Sequence, residues 1–296
     1  MTGSSGFIGS VLRNTSNSLF KFRGLKRTSG AISETDLFLD LDSQAVLGTA
    51  LSDLDALVHL AWSGNPRTSS PTTCTNLENT RRLFEAWAKI KPTSPFIFFS
   101  TGGAVYGHSE SRRPWVETDR CLPVSPYGIE KLETENTLLN VSASTGCPCI
   151  ILRASNPFGV VQDEKRGQGF VGIAVNAALN KAPFKLYADP ETVRDFIHVS
   201  DLRESVLRVV EASIKQNFEP GIYNLGSGVG TSLQQILDTV QSIANTQLSI
   251  STASMSSADL DWCVLNCQKL SGALGWTPGI SVVEGIRSMI EAGLKR

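Results

Sequence analysis

The sequence predicts an α/β fold, a doubly wound parallel sheet followed by a smaller C-terminal lobe. Three observations predict it. Apolar, strand-like runs alternate with helical patterns through the first half of the chain, which is the rhythm of β-α-β units. A glycine turn stands at the very start, in Thr2-Gly3-Ser4-Ser5-Gly6-Phe7-Ile8-Gly9. Beyond Arg153 the alternation loosens, as it does where a second lobe begins.

The glycines fit G-x-x-G-x-x-G, the phosphate-binding turn of a Rossmann-type fold. Gly3 and Gly6 allow a tight turn and close approach of backbone to a pyrophosphate, and Gly9 lets the next helix pack on the sheet. Only Met1 precedes the turn, where an apolar central strand belongs. The first strand is therefore expected to be missing, with the sequence beginning about six residues late. Its place would lie between the strands at Leu19–Arg27 and Asp55–Ala61. Leu19 to Arg27 reads as the second strand. The ribose-binding acid is expected about 20 residues after the glycines, and Arg27 stands there, with Arg23 and Lys26 nearby. Arg27 either accepts the 2′-phosphate of NADP or belongs to a basic loop facing water.

Asp36 to Leu41 is a third strand, ending in Asp40-Leu41. Asp55 to Ala61 is a fourth, apolar enough to be buried on both faces; His59 within it reads as a core histidine. Asn76 to Ile90 is an amphipathic helix with Leu77, Leu83, Phe84 and Trp87 as apolar positions. Pro95 to Ser100 is a fifth strand, followed by Thr101-Gly102-Gly103-Ala104-Val105-Tyr106-Gly107. A helix carrying Tyr127 comes next, then a strand at Pro148–Arg153. In the second half, Asn156-Pro157-Phe158-Gly159 is a turn and Gly167 to Asn180 looks helical. Val193 to Leu202 is a strand running into a turn, and Gly221 to Gly230 a strand and glycine turn. Ser232 to Ala244 is a helix capped at Ser232, and Gln268–Trp276 and Ser281–Ala292 are further helices. The expected division is 1–155, a dinucleotide-binding domain, and 156–296, a substrate lobe, with 193–212 packing back on the first and a ligand cleft between the two.

The chain has 296 residues, 41% hydrophobic and 19% charged, enough for a sizeable core. A formal net charge of -1 points to neither a nucleic-acid nor an acidic-membrane partner. No apolar run reaches the about 18 residues of a membrane span, and the start lacks the basic-then-apolar order of a secretion signal. Cys74, Cys121, Cys147, Cys149, Cys263 and Cys267 are too scattered for a disulfide framework. With three histidines they form no zinc pattern, so no metal is expected. A reducing cytoplasm is the expected compartment.

The chemistry centres on Ser125-Pro126-Tyr127-Gly128-Ile129-Glu130-Lys131. Tyr127 and Lys131 are four apart, which on a helix puts them one turn apart on one face. A phenol beside a fixed ammonium is a general acid–base pair, and the charge is expected to lower the tyrosine pKa toward neutrality. Pro126 suits the helix start.

Together these stretches resemble the extended short-chain dehydrogenase/reductase family, above all its sugar-nucleotide epimerases and dehydratases of the UDP-glucose 4-epimerase kind. The resemblance is carried by TGSSGFIG, DALVHLA, Asn76 in TNLENT, STGGAVYG, SPYGIEK, LRASNPFG, VRDFIHVSDL, YNLGSG and LGWTP, in the family's order. It implies that Tyr127 is the catalytic acid–base, and that Lys131 holds the nicotinamide ribose and lowers the Tyr127 pKa. Gly3, Gly6, Phe7, Ile8 and Gly9 would hold the pyrophosphate of NAD or NADP, and Asp40 and Leu41 would flank the adenine. Leu60, Ala61 and Trp62 would line the cofactor cleft, with Asn76, Ser100 and Pro157 beside it. Asn156 and Arg194 would contact the diphosphate of a nucleotide-sugar substrate.

The chain departs from the family pattern at Gly102, where a catalytic Ser or Thr usually stands; Thr101 is the expected substitute. Gly103 and Ala104 replace the acids of the dehydratases, which leaves epimerisation or one-way reduction. The stretch Ser254–Asp261 lacks the Arg that epimerases often place on the diphosphate. The expected activity is C4 epimerisation through a transient keto sugar. The alternatives are an NADPH-dependent keto-sugar reductase, which Arg27 favours, and a catalytically weak nucleotide-binding protein. The resemblance also implies a homodimer through the Asn76–Ile90 and Tyr127–Leu139 helices.

Overall fold

The structure is a computed structural model describing residues 1–13, 19–26, 36–64, 75–161, 169–252 and 260–294. In chain order its elements are α1 (Phe7–Arg13), β1 (Gly24–Lys26), β2 (Asp36–Phe38), α2 (Gln44–Leu51), β3 (Leu57–His59), α3 (Thr75–Ile90), β4 (Phe96–Thr101), α4 (Gly102–Val105), α5 (Pro126–Thr145), β5 (Cys149–Ala154) and β6 (Asn156–Phe158). There follow α6 (Phe170–Asn180), β7 (Phe184–Leu186), β8 (Val193–His198), α7 (Val199–Ile214), β9 (Gly221–Leu225), β10 (Gly230–Ser232), α8 (Leu233–Ala244), β11 (Ile250–Thr252), β12 (Trp262–Cys263), α9 (Gln268–Leu274) and α10 (Val282–Leu294). Two compact units result. One comprises Met1–Thr101, Ser125–Arg153 and Val206–Tyr223; the other comprises Gly102–Val124, Ala154–Ser205 and Asn224–Arg296.

The first unit is built on a parallel sheet. Its strands run β3-β4-β5-β9, β3 lying parallel to β4 with Leu57 opposite Phe96. β1 and β2 pair in parallel beside them. The place of the strand expected to be missing is held by Met1 and Thr2. Thr2 forms parallel bridges to Leu25 and to His59. Its N–H donates to the Val58 carbonyl at 3.0 Å, and the Leu25 N–H donates to the Met1 carbonyl at 2.7 Å. Two residues thus satisfy part of the ladder on both sides. Among the described residues the neighbouring strands are shorter than the sequence implies: the run from Leu19 is strand at Gly24–Lys26, and Asp55–Ala61 is strand at Leu57–His59.

Helix α5 starts where the sequence places it. Ser125 is its N-cap, its hydroxyl accepting the Gly128 N–H at 3.1 Å, with Pro126 in the first turn. Gly146 closes the helix at φ 74°, a left-handed cap that glycine adopts without strain. Helices α3 and α5 pack against each other. Leu83, Phe84 and Trp87 of α3 are buried beside Phe96 and Phe98 of β4, the Phe84 and Phe96 rings 4.5 Å apart.

A buried ion pair lies under the carboxyl end of β4. Arg153 donates to Glu135 with nitrogen–oxygen distances of 2.7 to 3.2 Å, and the Ser100 hydroxyl donates to the same carboxylate. All three side chains are buried.

In the second unit, β8 is central. It carries β10 antiparallel and β12 parallel, and β6 pairs with it in parallel, Asn156 opposite Phe196. Helices α6, α8 and α10 cover a core of Phe158, Val175, Phe196, Ile236, Ile286 and Met289. Buried Asp195 accepts the Ser227 and Gly228 N–H groups at 2.9 and 3.0 Å, which fixes the glycine turn before β10. Helix α8 carries the Ser232/Gln235 capping box. Two readings are corrected here. Asn156–Phe158 is a strand, because its pairing with β8 overrides its turn-like residues. The segment after His198 is the long helix α7 and not a turn, with Asp201 in its first turn, where a carboxylate favours the helix dipole.

Removing one partner of a buried ion pair leaves the other charge uncompensated, at about 3–5 kcal/mol. Arg153→Met is accordingly expected to lower the unfolding free energy in urea by about that amount. A loss under about 1 kcal/mol, the range of surface pairs, would show that Glu135 is solvated.

Candidate active site

In the first unit the glycine turn meets the residues after β3, and β4 packs on helix α5. Gly3 has φ 66°, and a Cβ on it would stand 2.7 Å from the Ala61 nitrogen and 2.8 Å from the Leu60 carbonyl carbon. A Cβ on Gly9 would fall 2.2 Å from the Gly3 carbonyl oxygen. Only glycine permits both contacts. Gly6 is exposed, so the backbone of the turn is open to a phosphate group. Phe7 and Ile8 begin α1, half-buried. The structure brings Gly3 against the backbone of Leu60 and Ala61, and the open glycine turn has the form that would take a pyrophosphate.

A buried polar line runs beneath this turn. The Thr80 hydroxyl donates to the Asn76 carbonyl at 2.7 Å, so it accepts from His59 Nε2 at 3.0 Å. That assigns the proton to Nε2 and leaves His59 Nδ1 to accept from the Thr2 hydroxyl at 2.7 Å. Thr2 in turn accepts the Ala61 N–H at 3.2 Å. His59 is a satisfied core histidine, as the sequence implies. The Asn76 side chain clamps Ser63, accepting its N–H at 3.1 Å and donating to its carbonyl at 2.8 Å. In this geometry Asn76 holds the backbone that follows Trp62.

Tyr127 and Lys131 share a face of α5. Lys131 is buried and donates from Nζ to the Phe99 carbonyl at 2.7 Å. Its ammonium lies 3.7 Å from the centre of the Trp62 ring, 4.6 Å from Phe98 and 6.0 Å from Tyr127. Trp62 meets Tyr127 edge-on, centroids 6.4 Å apart. Burial lowers the Lys131 pKa from 10.5 to about 7, against the pull of Glu135 and Glu130. Burial also pushes the Tyr127 phenol up to about 12, a hydrogen bond with Thr101 working the other way. The expected fall of the Tyr127 pKa toward neutrality is therefore corrected. The ammonium is turned to a backbone carbonyl and an indole face, and desolvation of the phenol dominates.

Thr101 is the hydroxyl at Tyr127, whereas Ser100, buried, points to Glu135. Gly102 opens the short helix α4. The Asp40 carboxylate accepts the Asp42 N–H at 2.9 Å, and the Leu41 carbonyl accepts from Arg82 at 2.7 Å. Arg27 lies outside the described residues. Its neighbour Lys26 is paired with buried Asp36 at 2.7 Å, and Arg13 joins the same carboxylate at 2.9 Å. Sequence reasoning missed Glu135, although Tyr127, Lys131 and Glu135 repeat at intervals of four.

In the second unit, Asn156 donates to the Asp195 carbonyl at 2.9 Å. Arg194 donates to the Leu260 carbonyl at 2.6 Å and the Val193 carbonyl at 3.0 Å. Pro157 sits in β6 opposite Ile197. Strand pairing thus brings Asn156 and Arg194 to neighbouring strands. A cavity of about 680 Å³ in this unit is lined by Phe196, Thr231, Gln235, Asp238 and Ile280 among others, and includes neither Asn156 nor Arg194. Among the described residues no cluster of His, Cys, Asp and Glu could hold a metal ion, and no helix is long and apolar enough to cross a membrane.

A family model, described as the NAD dependent epimerase/dehydratase family, matches residues 1–226. The chain belongs to that family. Among curated members it is 31% identical over 226 residues to a UDP-glucose 4-epimerase of Rhizobium leguminosarum bv. trifolii, covering 72% of this chain and 68% of the relative. It is 30% identical over 196 residues to the dTDP-4-dehydro-6-deoxyglucose reductase of Escherichia coli, covering 66% of this chain and 60% of that relative, under two thirds of its length. Among solved structures of the family, the Thermus thermophilus UDP-glucose 4-epimerase in complex with NAD superimposes with a TM-score of 0.85 at 27% identity, covering 99% of this chain and 97% of the other.

The Lys131 shift gives this family member a stability signature. Below pH 7 the folded and unfolded chains both hold the proton, and the folded chain carries the full cost of a buried charge. Between about 7 and 10.5 the folded chain releases its proton first, so stability rises with pH; above that range the cost is gone. The unfolding free energy of the wild type minus that of Lys131→Met is expected to increase across this window in urea titrations. A difference independent of pH would mean that Lys131 keeps its ordinary pKa.

Proposed function

We propose that the chain is an NAD-dependent sugar-nucleotide 4-epimerase acting on a UDP-hexose. The observation that carries this reading is Tyr127 and Lys131 on one face of α5, with Thr101 on the phenol. Its relatives' activities and the likeness to an NAD-bound epimerase support it.

The Tyr127 oxygen would take the proton of the sugar hydroxyl and return it after the keto sugar has turned over. The Lys131 charge and the Thr101 hydrogen bond would favour the phenolate against burial. Glu135, held by Arg153, would stand behind Lys131 and oppose the lowering of its pKa by burial. Gly3, Gly6, Phe7, Ile8 and Gly9 would hold the dinucleotide pyrophosphate, with Asp40 and Leu41 at the adenine. Leu60, Ala61, Trp62, Asn76, Ser100 and Pro157 would lie along the rest of it. Bound there, NAD supplies the acceptor and donor of hydride. Asn156 and Arg194 would take the substrate diphosphate. In this reading 1–155 serves the cofactor and 156–296 the substrate.

A second reading is a keto-sugar reductase, which the Escherichia coli relative favours. Incubation with UDP-galactose and NAD separates the two. The epimerase reading expects UDP-glucose with no net NADH. A protein that only consumes NADPH with a keto sugar is the reductase. Tyr127→Phe is expected to lower turnover by about 10²–10⁴-fold and leave NAD affinity within a few-fold; full activity in the variant removes Tyr127 from the chemistry.

We also propose a homodimer through α3 and α5, where Ile129 is 43% exposed. A monomer by light scattering at micromolar concentration would exclude it. Cys121, Cys147, Cys149, Cys263 and Cys267 are free thiols, which supports a reducing, cytoplasmic setting.

A further inference from the structure

Lys131 is the one cation on the reactive face of α5, and Trp62 lies on it. The Nζ-to-ring distance of 3.7 Å is close contact for a cation–π pair. Phe99 carbonyl is the ammonium's one hydrogen-bond acceptor among the described residues. Its remaining surroundings include the Trp62 and Phe98 rings. An ammonium has three donors, and among the described residues one acceptor is in hydrogen-bond reach of them.

The indole is held in an uncomfortable seat. Trp62 Nε1 is buried and has no hydrogen-bond partner, and a buried orphan N–H is costly. The backbone around it is fixed, since Asn76 grips Ser63 by both amide groups and the Ala61 N–H is bonded to Thr2. The Trp62 side-chain torsions are not held by any of these bonds. The ring lies on the cation and leaves its own N–H unpaired.

We propose that Trp62 is a displaceable cover on Lys131: its indole lies on the ammonium in this structure and swings aside when ribose hydroxyl groups of a nicotinamide nucleotide take the ammonium. The proposal rests on the reading of Lys131 as the ribose-holding residue. The cover competes with the ligand for the same donors. Apparent affinity is then reduced by the fraction of molecules in which the cover is off. Uncovering also gives the indole N–H the chance of an acceptor. Substitution of the indole by a smaller apolar side chain removes the competitor.

The test uses the full chain and two variants, Trp62→Ala and Trp62→Leu, the second keeping more of the packing volume in case the first unfolds. Without nucleotide, acetylation of Lys131 by acetic anhydride is followed by mass spectrometry. With nucleotide, NAD affinity is measured by calorimetry. Both variants are expected to acetylate faster at Lys131 and to bind NAD about two- to thirty-fold more tightly, the range spanned by a cation–π contact. Wild-type tryptophan emission should also change on NAD addition by more than that of the variants. Unchanged acetylation, or weaker NAD binding in both variants, would overturn the cover and make Trp62 a wall that the nucleotide leans on. If neither wild type nor variant binds NAD, the cofactor reading fails and the displacement fails with it, an outcome distinct from NAD binding that weakens on substitution.

Discussion

The burial of one ammonium group organises the first unit. Lys131 sits against the Phe99 carbonyl and the Trp62 and Phe98 rings, where a charge is expensive. Its pKa near 7 records that expense. Glu135, one turn further along α5, opposes it, and Arg153 and Ser100 hold Glu135 in turn. The arrangement is a chain of alternating charge, each member making the next tolerable. The Tyr127 phenol, on the same face of α5, is pushed up to about 12 by burial, with the Thr101 hydrogen bond working the other way.

A second chain of contacts links the glycine turn to the same place. Thr2, His59, Thr80 and Asn76 pass hydrogen bonds from the start of the chain to Ser63, the residue after Trp62. Gly3 presses on Leu60 and Ala61 with no room for a side chain. The backbone from Leu60 to Ser63 is therefore tied to the turn that the motif assigns to a pyrophosphate, while the Trp62 side chain it carries is not.

Much of this was legible from residues alone. The Ser125-Pro126 start of α5 and the Tyr127/Lys131 spacing were readable because capping and helical period are local. So were the α3 core positions and the Ser232 cap. What was not legible depended on tertiary burial. The Tyr127 pKa moves opposite to expectation because desolvation outweighs an ammonium that faces away. Helix α7 was read as a turn because its first residues continue the apolar run of β8. Asn156–Phe158 looks like a turn in isolation and becomes a strand only against β8. Thr2 bridges Leu25 and His59 at once, a pairing that two residues give no pattern to foresee. Glu135 could have been found, as the third member of a four-residue repeat.

The central claim is that Tyr127, supported by Lys131, serves an oxidation and reduction that both occur at the same sugar carbon. The most direct measurement uses UDP-galactose carrying deuterium at C4. The product UDP-glucose is analysed by mass spectrometry and NMR. The account predicts that deuterium remains at C4 and that none passes to solvent, because the hydrogen leaves and returns within one site. Product that has lost the label to water would mean that the proton at C4, not a hydride, is what moves, and the account would be contradicted.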